Sequence, residues 1–445
     1  MNSPEKYRPR LHFSPAKGWQ NDPNGMIVLD GVYHLFFQHD PDSTVHGPMH
    51  WGHARSDDLV HWTELPIALY PTELGTCFSG SAIETQEGEV RLFYTAHRRI
   101  DGEDFQTQAL VYANRALDSF EREPGNPIIN NPGLRAFRDP KVVWHEPTQR
   151  WIMLVTHGQC IGFYGSQNLV DWTLLSTFGE TEGRHGPGPW ECPDMICLKT
   201  PGGESKWVVL VGVQAPAYAN GSGTQYFVGD FDGTRFQNDN PPECELWLDF
   251  GRDHYATQTF FDRSGGETIA MSWASNIGYA QQTPTTAFRG AMTLPRVLSL
   301  IDTSAGLRIS ARLPDTVARQ VPDGITNGVG YVQLPQNLAI GEATRIVLFG
   351  AADAQIVVRR STATSGSIRM RRDAIEGIRD FGHDYEVPVS WPSNGPLELT
   401  LFVDRGMVEI AAADGTVWIT SLYFPADPEG EMRFERTSKT ASAKV

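Results

Sequence analysis

The feature that most constrains the fold of this 445-residue chain is a pair of apolar runs that recurs along the sequence. Each copy has a polar or acidic start, an apolar run, a turn and a second apolar run, which is typical of antiparallel strands. The five copies begin at Asp22, Phe78, Arg138, Glu191 and Asp253. Because helical periodicity is nearly absent between them, an all-β chain is predicted.

A second short motif lies between these pairs, in which a small or acidic residue and a Leu or Phe come shortly before an aromatic residue. The closing aromatics are Trp62, Phe120, Trp172 and Phe236, which are 58, 52 and 64 residues apart. This spacing indicates four-stranded units in radial repetition, so we predict a five-bladed β-propeller over residues 1–298. A two-sheet sandwich with coincidental turns is the alternative.

The repeat stops after Leu298, and residues 299–445 contain alternating apolar and polar runs between turn signals. The first such run is 307–313. This pattern predicts a β-sandwich as the second domain. Asp404 and Glu409 are isolated acids there, and we interpret both as strand-face or turn residues.

Charge and cysteine content exclude several classes of function. The chain has 37 basic and 53 acidic residues, a net charge of −16, which argues against a nucleic-acid or anionic-membrane partner. Its five cysteines form no CxxC pair, so neither a disulfide framework nor a zinc site is expected. With no apolar run behind the N-terminal charges and no membrane-length apolar stretch, we expect a soluble cytoplasmic protein. Its oligomeric state is left open.

The starts of the five copies contain polar and acidic residues that could act together in catalysis. First strands of propeller blades line the central axis, so Asp22, Ser79, Asp139, Glu191 and Asp253 are predicted to meet at one end of a funnel. Prolines follow three of these acids closely and restrict the backbone around them. Ordinary turn formation is the alternative for any single Asp-Pro pair.

Paired acids in an aromatic-rich funnel suit the cleavage of a glycosidic bond, in which one carboxyl protonates the leaving oxygen and another carboxylate attacks or activates water. Such a site requires no metal or cofactor. Four tryptophans near the acids, Trp19, Trp51, Trp190 and Trp273, offer flat faces for a sugar ring. Packing between blades is the alternative role for each of them.

Three segments carry a family resemblance. Residues 19–25 (WQNDPNG), 137–141 (FRDPK) and 190–194 (WECPD) resemble the signature motifs of glycoside hydrolase family 32, which includes invertases, sucrose-6-phosphate hydrolases, levanases, inulinases and fructosyltransferases. Segments 8–15, 78–81, 255–260, 289–296 and 401–409 are similar to family segments in the same order. Two departures are Gln20, where the family often has methionine, and Ile410, where it usually has phenylalanine.

The resemblance implies that Asp22 is the nucleophile, Glu191 the general acid/base and Asp139 the stabiliser of the transition state. It also implies a set of substrate-binding residues: Asn21, Gln38, Trp51, Phe78, Ser79, Arg138, Tyr255 and Trp273. For this division of work we expect a low pKa for Asp22, a raised pKa for Glu191 and a charged Asp139.

The resulting hypothesis is a retaining β-fructofuranosidase that hydrolyses the terminal β-D-fructofuranosyl linkage of sucrose or short fructooligosaccharides. Two alternatives in the same family are a fructosyltransferase and a sucrose-6-phosphate hydrolase. Outside it, an inverting propeller glycosidase and a non-catalytic sugar-binding propeller are further alternatives.

Overall fold

The computed structural model describes residues 5–350 and 354–437, and most of this part of the chain is β-strand. Its first sheets are antiparallel and follow one another along the sequence. The first sheet consists of β1 (Gly18–Leu29), β2 (Val32–Asp40), β3 (His50–Ser56) and β4 (Thr63–Leu69). The second consists of β5 (Thr76–Glu84), β6 (Val90–Ile100), β7 (Glu103–Ala113) and β8 (Phe120–Arg122). The third consists of β9 (Phe137–His145), β10 (Arg150–His157), β11 (Cys160–Ser166) and β12 (Thr173–Phe178).

Two further sheets follow in the same manner. The fourth consists of β13 (Trp190–Lys199), β14 (Ser205–Val213), β15 (Gly223–Phe231) and β16 (Phe236–Asn238), and β17 (Leu246–Trp247) also pairs with β15. The fifth consists of β18 (Tyr255–Thr259), β19 (Ile269–Trp273), β21 (Arg296–Thr303) and β22 (Gly306–Arg312). Between β19 and β21, the short β20 (Phe288–Arg289) returns to the first sheet and pairs with β1 in parallel.

The first strands of these sheets form a closed ring. β1, β5, β9, β13 and β18 contact one another in that order, and β18 also contacts β1. Radially arranged antiparallel sheets around a ring of first strands form a β-propeller. The predicted class, an all-β propeller followed by a β-sandwich, is confirmed.

The second sequence motif is a turn that leads into the fourth strand of a sheet. In the first sheet, Ser56 Oγ accepts the N–H of Leu59 at 2.8 Å, and the Trp62 indole N–H donates to the Leu59 carbonyl at 3.1 Å. In the third sheet, Ser166 Oγ accepts the N–H of Leu169 at 2.9 Å. Both leucines have positive φ, 69° and 68°. The sequence repeat thus corresponds to a repeated turn geometry.

The propeller extends beyond the predicted boundary at residue 298. β21 crosses that position, and β22 pairs with β21 along its whole length in the fifth sheet. The run 307–313, which we assigned to the sandwich, contains this outermost strand. A half-exposed outer blade strand has the same apolar alternation as a sandwich strand, so periodicity cannot separate the two.

A helix, α1 (Asp315–Ala318), links the propeller to a sandwich of two sheets. One consists of β23 (Val329–Gln333), β28 (Leu399–Asp404), β29 (Met407–Ala412) and β30 (Val417–Leu422). The other has the order β27 (His383–Ser390), β26 (Ser365–Arg372), β25 (Ala354–Arg360), β24 (Ala343–Val347) and β31 (Arg433–Thr437). Three short 3-10 helices lie at Glu146–Thr148, Ala280–Gln282 and Ala413–Gly415. In the described part, no helix has the length and apolar character needed to cross a membrane.

Asp404 and Glu409 lie in strands, as the sequence suggested, but they are not isolated. Both side chains are fully buried, and the imidazole of His12 lies between them at 2.8 Å and 3.0 Å. Arg296 binds Glu409 from the other side at 2.6 Å. These ion pairs join the N-terminal segment and the propeller to the sandwich. The partners lie more than 100 residues away in the chain, which is why the sequence offers no sign of the pairing.

Asp253 is also part of this interface and does not join the acids of the funnel. Its carboxylate binds Arg372 of the sandwich at 2.6 Å and accepts the N–H of Leu422 at 2.8 Å. β18 begins only at Tyr255, so it is this tyrosine that occupies the matched position on the axis.

We predict that His12 contributes to stability in a pH-dependent way. Although burial acts to lower it, the hydrogen bonds to Asp404 and Glu409 raise the pKa of His12 from 6.5 to about 9. Because the pKa of His12 is raised in the folded state, the protonated imidazole stabilises the fold fully below about pH 6.5. Its contribution to the free energy of unfolding is lost as the pH rises through about 9. His12→Ala should lower the free energy of unfolding by about 3–5 kcal/mol near neutral pH, because it leaves the buried carboxylate of Asp404 without a cation.

Urea unfolding followed by tryptophan fluorescence, at several pH values, measures this effect. The matched control is His61→Ala, since His61 pairs with Asp58 on the surface with its side chain 78% exposed. The control should change stability by less than about 1 kcal/mol. Equal losses of unfolding free energy in the two variants would contradict the prediction. A difference between the two losses that does not become smaller above pH 9 would contradict it as well.

Candidate active site

The first strand of each propeller sheet contains a bulge, and these bulges shape the candidate active site. The pairing register shifts between Gln20 and Pro23 in β1, between Phe78 and Gly80 in β5, and between Glu191 and Asp194 in β13. β9 shifts around residues 139–140, and β18 around 256–257. A bulge bends the strand and re-aims the side chains around it. The five bulges lie on the ring of first strands, so they turn polar side chains toward one end of the axis.

Three of the bulged residues have a backbone conformation that L-residues seldom adopt, among them Ala256 with φ +53°. Asp139 has φ +64° and Cys192 has φ +48°. Such conformations cost about 1–3 kcal/mol each and persist only where the surroundings impose them. Here the Asp139 N–H donates to Thr95 Oγ1 and the Cys192 N–H donates to Asp139 Oδ2, both at 2.8 Å. These bonds hold both segments in the strained geometry.

The bulges enclose a cavity of about 210 Å³. This volume is below the roughly 300–1,000 Å³ of pockets for drug-sized ligands, so it suits one small ring. Three acids and seven further residues predicted from the sequence line it: Asp22, Asp139, Glu191, Asn21, Gln38, Phe78, Ser79, Arg138, Tyr255 and Trp273.

Trp51 is the predicted residue that does not line the cavity. It is fully buried, and its indole N–H donates to the carbonyl of Phe78 at 2.9 Å. Trp51 therefore supports Phe78 from within the protein. Trp190 is likewise a packing residue, stacked on His185 and 1% exposed.

Some lining residues were not among the predicted binding residues. They are Trp19, His46, Gln214, Ile277, Ala280 and Gln281. Most lie in connections between strands, where no periodic pattern marks them. Trp19 is part of the first motif and is one of the four tryptophans expected to offer a face to a sugar ring, whereas the only sequence signal for His46 was its proximity to motif residues.

Asp22 lies against two hydrogen-bond donors. Ser79 Oγ donates to Asp22 Oδ2 at 2.6 Å, and the Cys192 thiol approaches the same oxygen at 3.4 Å. Burial raises the pKa of Asp22, the Ser79 hydrogen bond acts in the opposite direction, and the negative charge of Glu191 adds to the rise.

Glu191 is held by one cation and one phenol. Arg138 donates to Glu191 Oε1 through Nη2 at 2.7 Å and Nε at 3.1 Å, and Tyr255 Oη donates to Oε2 at 2.7 Å. Although burial acts to raise it, Arg138 and Tyr255 together hold the pKa of Glu191 below its usual value.

These directions are the reverse of those expected for Asp22 and Glu191, because Arg138 points at Glu191 and leaves Asp22 without a cation. Asp139 lies beside both carboxylates, with its Oδ2 4.0 Å from Arg138 Nε. Burial raises the pKa of Asp139 to about 7, with Arg138 opposing and the charges of Glu191 and Asp22 adding to the rise. Three carboxylates therefore share one arginine, and this cation favours the ionised form of Glu191 over those of Asp22 and Asp139.

Two glutamines of β7 position Arg138, and the sequence analysis did not identify them. Gln106 Oε1 accepts the N–H of Phe137 at 2.9 Å and Arg138 Nη1 at 3.3 Å. Gln108 Nε2 donates to the carbonyl of Phe137 at 2.8 Å. The second sheet thereby fixes the residues that the third sheet presents to the cavity.

One donor in the cavity is free. Trp273 is 3% exposed, and its indole nitrogen has no hydrogen-bond partner among the described residues. A buried unpaired donor is costly, so a ligand acceptor or a water molecule is needed to satisfy it. Together, the cavity offers three carboxylates, a positioned arginine and aromatic walls.

Comparison with known families gives two matches that together span most of the chain. The model of the glycosyl hydrolases family 32 N-terminal domain matches residues 12–310, and that of the family 32 C-terminal region matches residues 336–445. The gap between the two matches contains α1 and β23, beyond the last propeller strand.

Several characterised relatives are similar in sequence. A levanase from Bacillus subtilis (strain 168) is 38% identical, with 95% of this chain and 67% of that protein covered. An extracellular exo-inulinase from Aspergillus awamori is 31% identical, with 99% and 94% covered. An invertase from Schizosaccharomyces pombe is 37% identical, with 81% and 60% covered. A second levanase, from Bacillus sp. (strain L7), is matched over half of its length.

Solved structures are similar over nearly the whole chain. The exo-inulinase from Aspergillus awamori superposes with a TM-score of 0.84 at 29% identity, covering 97% of this chain and 95% of that one. A β-fructofuranosidase from Schwanniomyces occidentalis, complexed with fructosyl-erythritol, has a TM-score of 0.81 at 28% identity, with 96% and 93% covered.

We predict that Tyr255→Phe raises the pKa of Glu191, because the phenol hydroxyl stabilises the ionised carboxylate. Carboxyl ¹³C NMR with labelled glutamate measures the titration directly. The matched control is Tyr164→Phe, whose hydroxyl binds His157 at 2.8 Å outside the cavity. An unchanged or lowered pKa of Glu191 in the Tyr255 variant would show that the phenol does not act on this group.

Proposed function

The chain belongs to glycosyl hydrolase family 32 and is a glycoside hydrolase, and we propose that it is a retaining β-fructofuranosidase acting on sucrose or short fructooligosaccharides. The observation that carries this proposal is the convergence of Asp22, Asp139 and Glu191 on one small cavity with Arg138 among them. The relatives named levanase, exo-inulinase and invertase support the fructosyl specificity.

In the first step, the carboxylate of Asp22 attacks C2 of the fructosyl unit while Glu191 gives its proton to the glycosidic oxygen. The bond from C2 to that oxygen breaks, the leaving sugar departs, and a fructosyl ester forms on Asp22. Asp139 accepts hydrogen bonds from ring hydroxyls, which strengthen as positive charge develops on the ring.

In the second step, Glu191 acts as a base. It takes a proton from water, whose oxygen attacks C2 and displaces the carboxylate of Asp22. Fructose leaves, Glu191 has regained its proton, and the two inversions give net retention at C2.

The contacts with Arg138 and Tyr255 favour the ionised form of Glu191, so substrate has to change the surroundings of this carboxyl before the first step. A fructosyl hydroxyl that accepts a hydrogen bond from Arg138 would weaken the hold of that cation on Glu191 and raise the pKa of the carboxyl.

The charge of the cavity favours an uncharged substrate. Among the residues that line it, Arg138 is the single permanent cation, and Glu191 binds it. His46 is the other basic group, and burial lowers its pKa so that the imidazole is mainly neutral at pH 7. Sucrose and unphosphorylated fructosides therefore suit the site better than a sugar phosphate. The cytoplasmic location stays a prediction.

We predict that Asp22→Ala and Glu191→Ala each lower kcat by about 10³-fold or more, because each removes a group that forms or breaks a bond. Initial rates of glucose release from sucrose measure the effect, with circular dichroism to verify folding. Asp57→Ala and Glu87→Ala, at exposed acids outside the cavity, are the matched controls. Full activity in either cavity variant would refute the assigned roles.

We also predict that fructose is first released from sucrose as the β-anomer, before mutarotation, because the reaction retains configuration. Time-resolved ¹H or ¹³C NMR of the purified enzyme detects this, and glucose and fructose should be formed in equal amounts. Initial α-fructose would indicate inversion. Excess glucose with longer oligosaccharides would identify a transferase instead.

A further inference from the structure

Side chains of the second sheet, and not a neighbouring strand, bind the free edge of β9. β9 is the last strand of its sheet and pairs there only with β10, so its other edge has no backbone partner in that sheet. An unpaired strand edge leaves N–H and C=O groups that need other partners when they are buried. In β9 these groups belong to Phe137 and Asp139, which lie on either side of Arg138.

Three buried side chains satisfy these backbone groups. Gln106 Oε1 accepts the N–H of Phe137 at 2.9 Å, and Gln108 Nε2 donates to the carbonyl of Phe137 at 2.8 Å. Thr95 Oγ1 accepts the N–H of Asp139 at 2.8 Å. The two glutamines hold the residue before Arg138, whereas Thr95 is the side chain that holds the acid after it.

The hydroxyl of Thr95 also connects two of the acids. Its hydrogen faces two acceptors, Gln108 Oε1 at 3.1 Å and the carbonyl of Ser79 at 3.2 Å. The side chain of Ser79 in turn donates to Asp22 Oδ2 at 2.6 Å. Thr95 therefore joins the segment that binds Asp22 to the segment that carries Asp139.

Asp139 extends this connection to the third acid. Its Oδ2 accepts the N–H of Cys192, the residue after Glu191, at 2.8 Å. The direction of the Asp139 carboxylate depends on a backbone with φ +64°, which persists only where the surroundings impose it. Without the Thr95 hydroxyl, the N–H of Asp139 would be buried and unpaired, and a rearranged backbone that regains a partner would be favoured.

We propose that Thr95 is a positioning residue for catalysis, whose hydroxyl fixes the carboxylate of Asp139 relative to those of Asp22 and Glu191. Thr95 is fully buried and does not line the catalytic cavity, so it acts through Asp139 and does not touch the substrate. The inference rests on the proposed function, in which Asp139 stabilises the positive charge that develops on the fructosyl ring.

The test is Thr95→Val, which keeps nearly the same shape and removes the hydroxyl. Initial rates of glucose release from sucrose should give a kcat about ten- to a hundredfold lower, because a displacement of about 1 Å in a catalytic group has an effect of this size. KM should change by less than about threefold, since the hydrogen bonds of Asp139 strengthen mainly in the transition state. Thr95→Ser keeps the hydroxyl and should recover most of the lost kcat.

Thr156→Val is the matched control. Thr156 is also fully buried, and it lies on β10 opposite Arg138. Its hydroxyl has no hydrogen-bond partner among the described residues, so the same substitution leaves no backbone group unpaired. Both kcat and KM of this variant should equal those of the unaltered protein.

Urea unfolding and circular dichroism separate a loss of catalysis from a loss of folding. A less stable Thr95→Val with unchanged kcat would overturn the inference, because a purely structural residue behaves in this way. Equal losses of kcat in Thr95→Val and Thr156→Val, or no recovery in Thr95→Ser, would overturn it as well. If Thr95→Val does not fold, Thr95→Cys takes its place, since a thiol is a weak acceptor and should give a smaller loss of kcat.

A structural measurement tests the positioning independently of the reaction. If the unaltered protein cleaves no fructoside, the proposed function fails, and crystal structures of the unaltered protein and of Thr95→Val then decide the inference. The carboxylate of Asp139 should lie about 1 Å further from its place relative to Glu191 in the variant. An unmoved Asp139 would overturn the inference whether or not the enzyme is active.

Discussion

Every polar group of the catalytic cavity depends on the closure of the ring of first strands. The parallel pairing of β20 with β1 and the contact of β18 with β1 bring the end of the propeller back to its beginning. Closure places Asp22, Glu191 and Tyr255 at one cavity although more than 230 residues of chain separate the first from the last. A blade has no such cavity alone, because the carboxylates of Asp22, Asp139 and Glu191 come from three different sheets.

Within that ring, a single guanidinium sets the electrostatics. Arg138 is buried among three carboxylates, so its orientation decides which of them is held ionised. The guanidinium of Arg138 binds Glu191 and donates to Gln106 Oε1, whereas Asp22 accepts a hydrogen bond from Ser79. The proposed reaction needs a proton on Glu191, so it begins from surroundings that favour the ionised form of this carboxyl. The ligand becomes part of the protonation mechanism, since its hydroxyls compete for the same donors.

The sandwich is bound to the propeller by buried charge as well as by apolar packing. His12, Arg296 and Arg372 each pair with carboxylates that the sequence presents as unremarkable. Buried ion pairs demand a defined geometry, because an unpaired partner is strongly unfavourable in a low-dielectric interior. They therefore specify one relative position of the two domains.

The amino-acid sequence by itself determined the all-β class, the propeller followed by a sandwich, and the three acids of the cavity, because strand alternation, turn residues and short motifs are local properties. The sequence did not identify the residues that act between sheets. Asp253 matched the repeat but pairs with the sandwich, Trp51 supports Phe78 from inside, and Gln106 and Gln108 position Arg138 without any motif. The boundary after Arg312 and the protonation pattern of the acids were likewise decided by tertiary structure alone. Pairing partners, burial and the direction of a cation arise only when distant strands meet, and no local pattern records them.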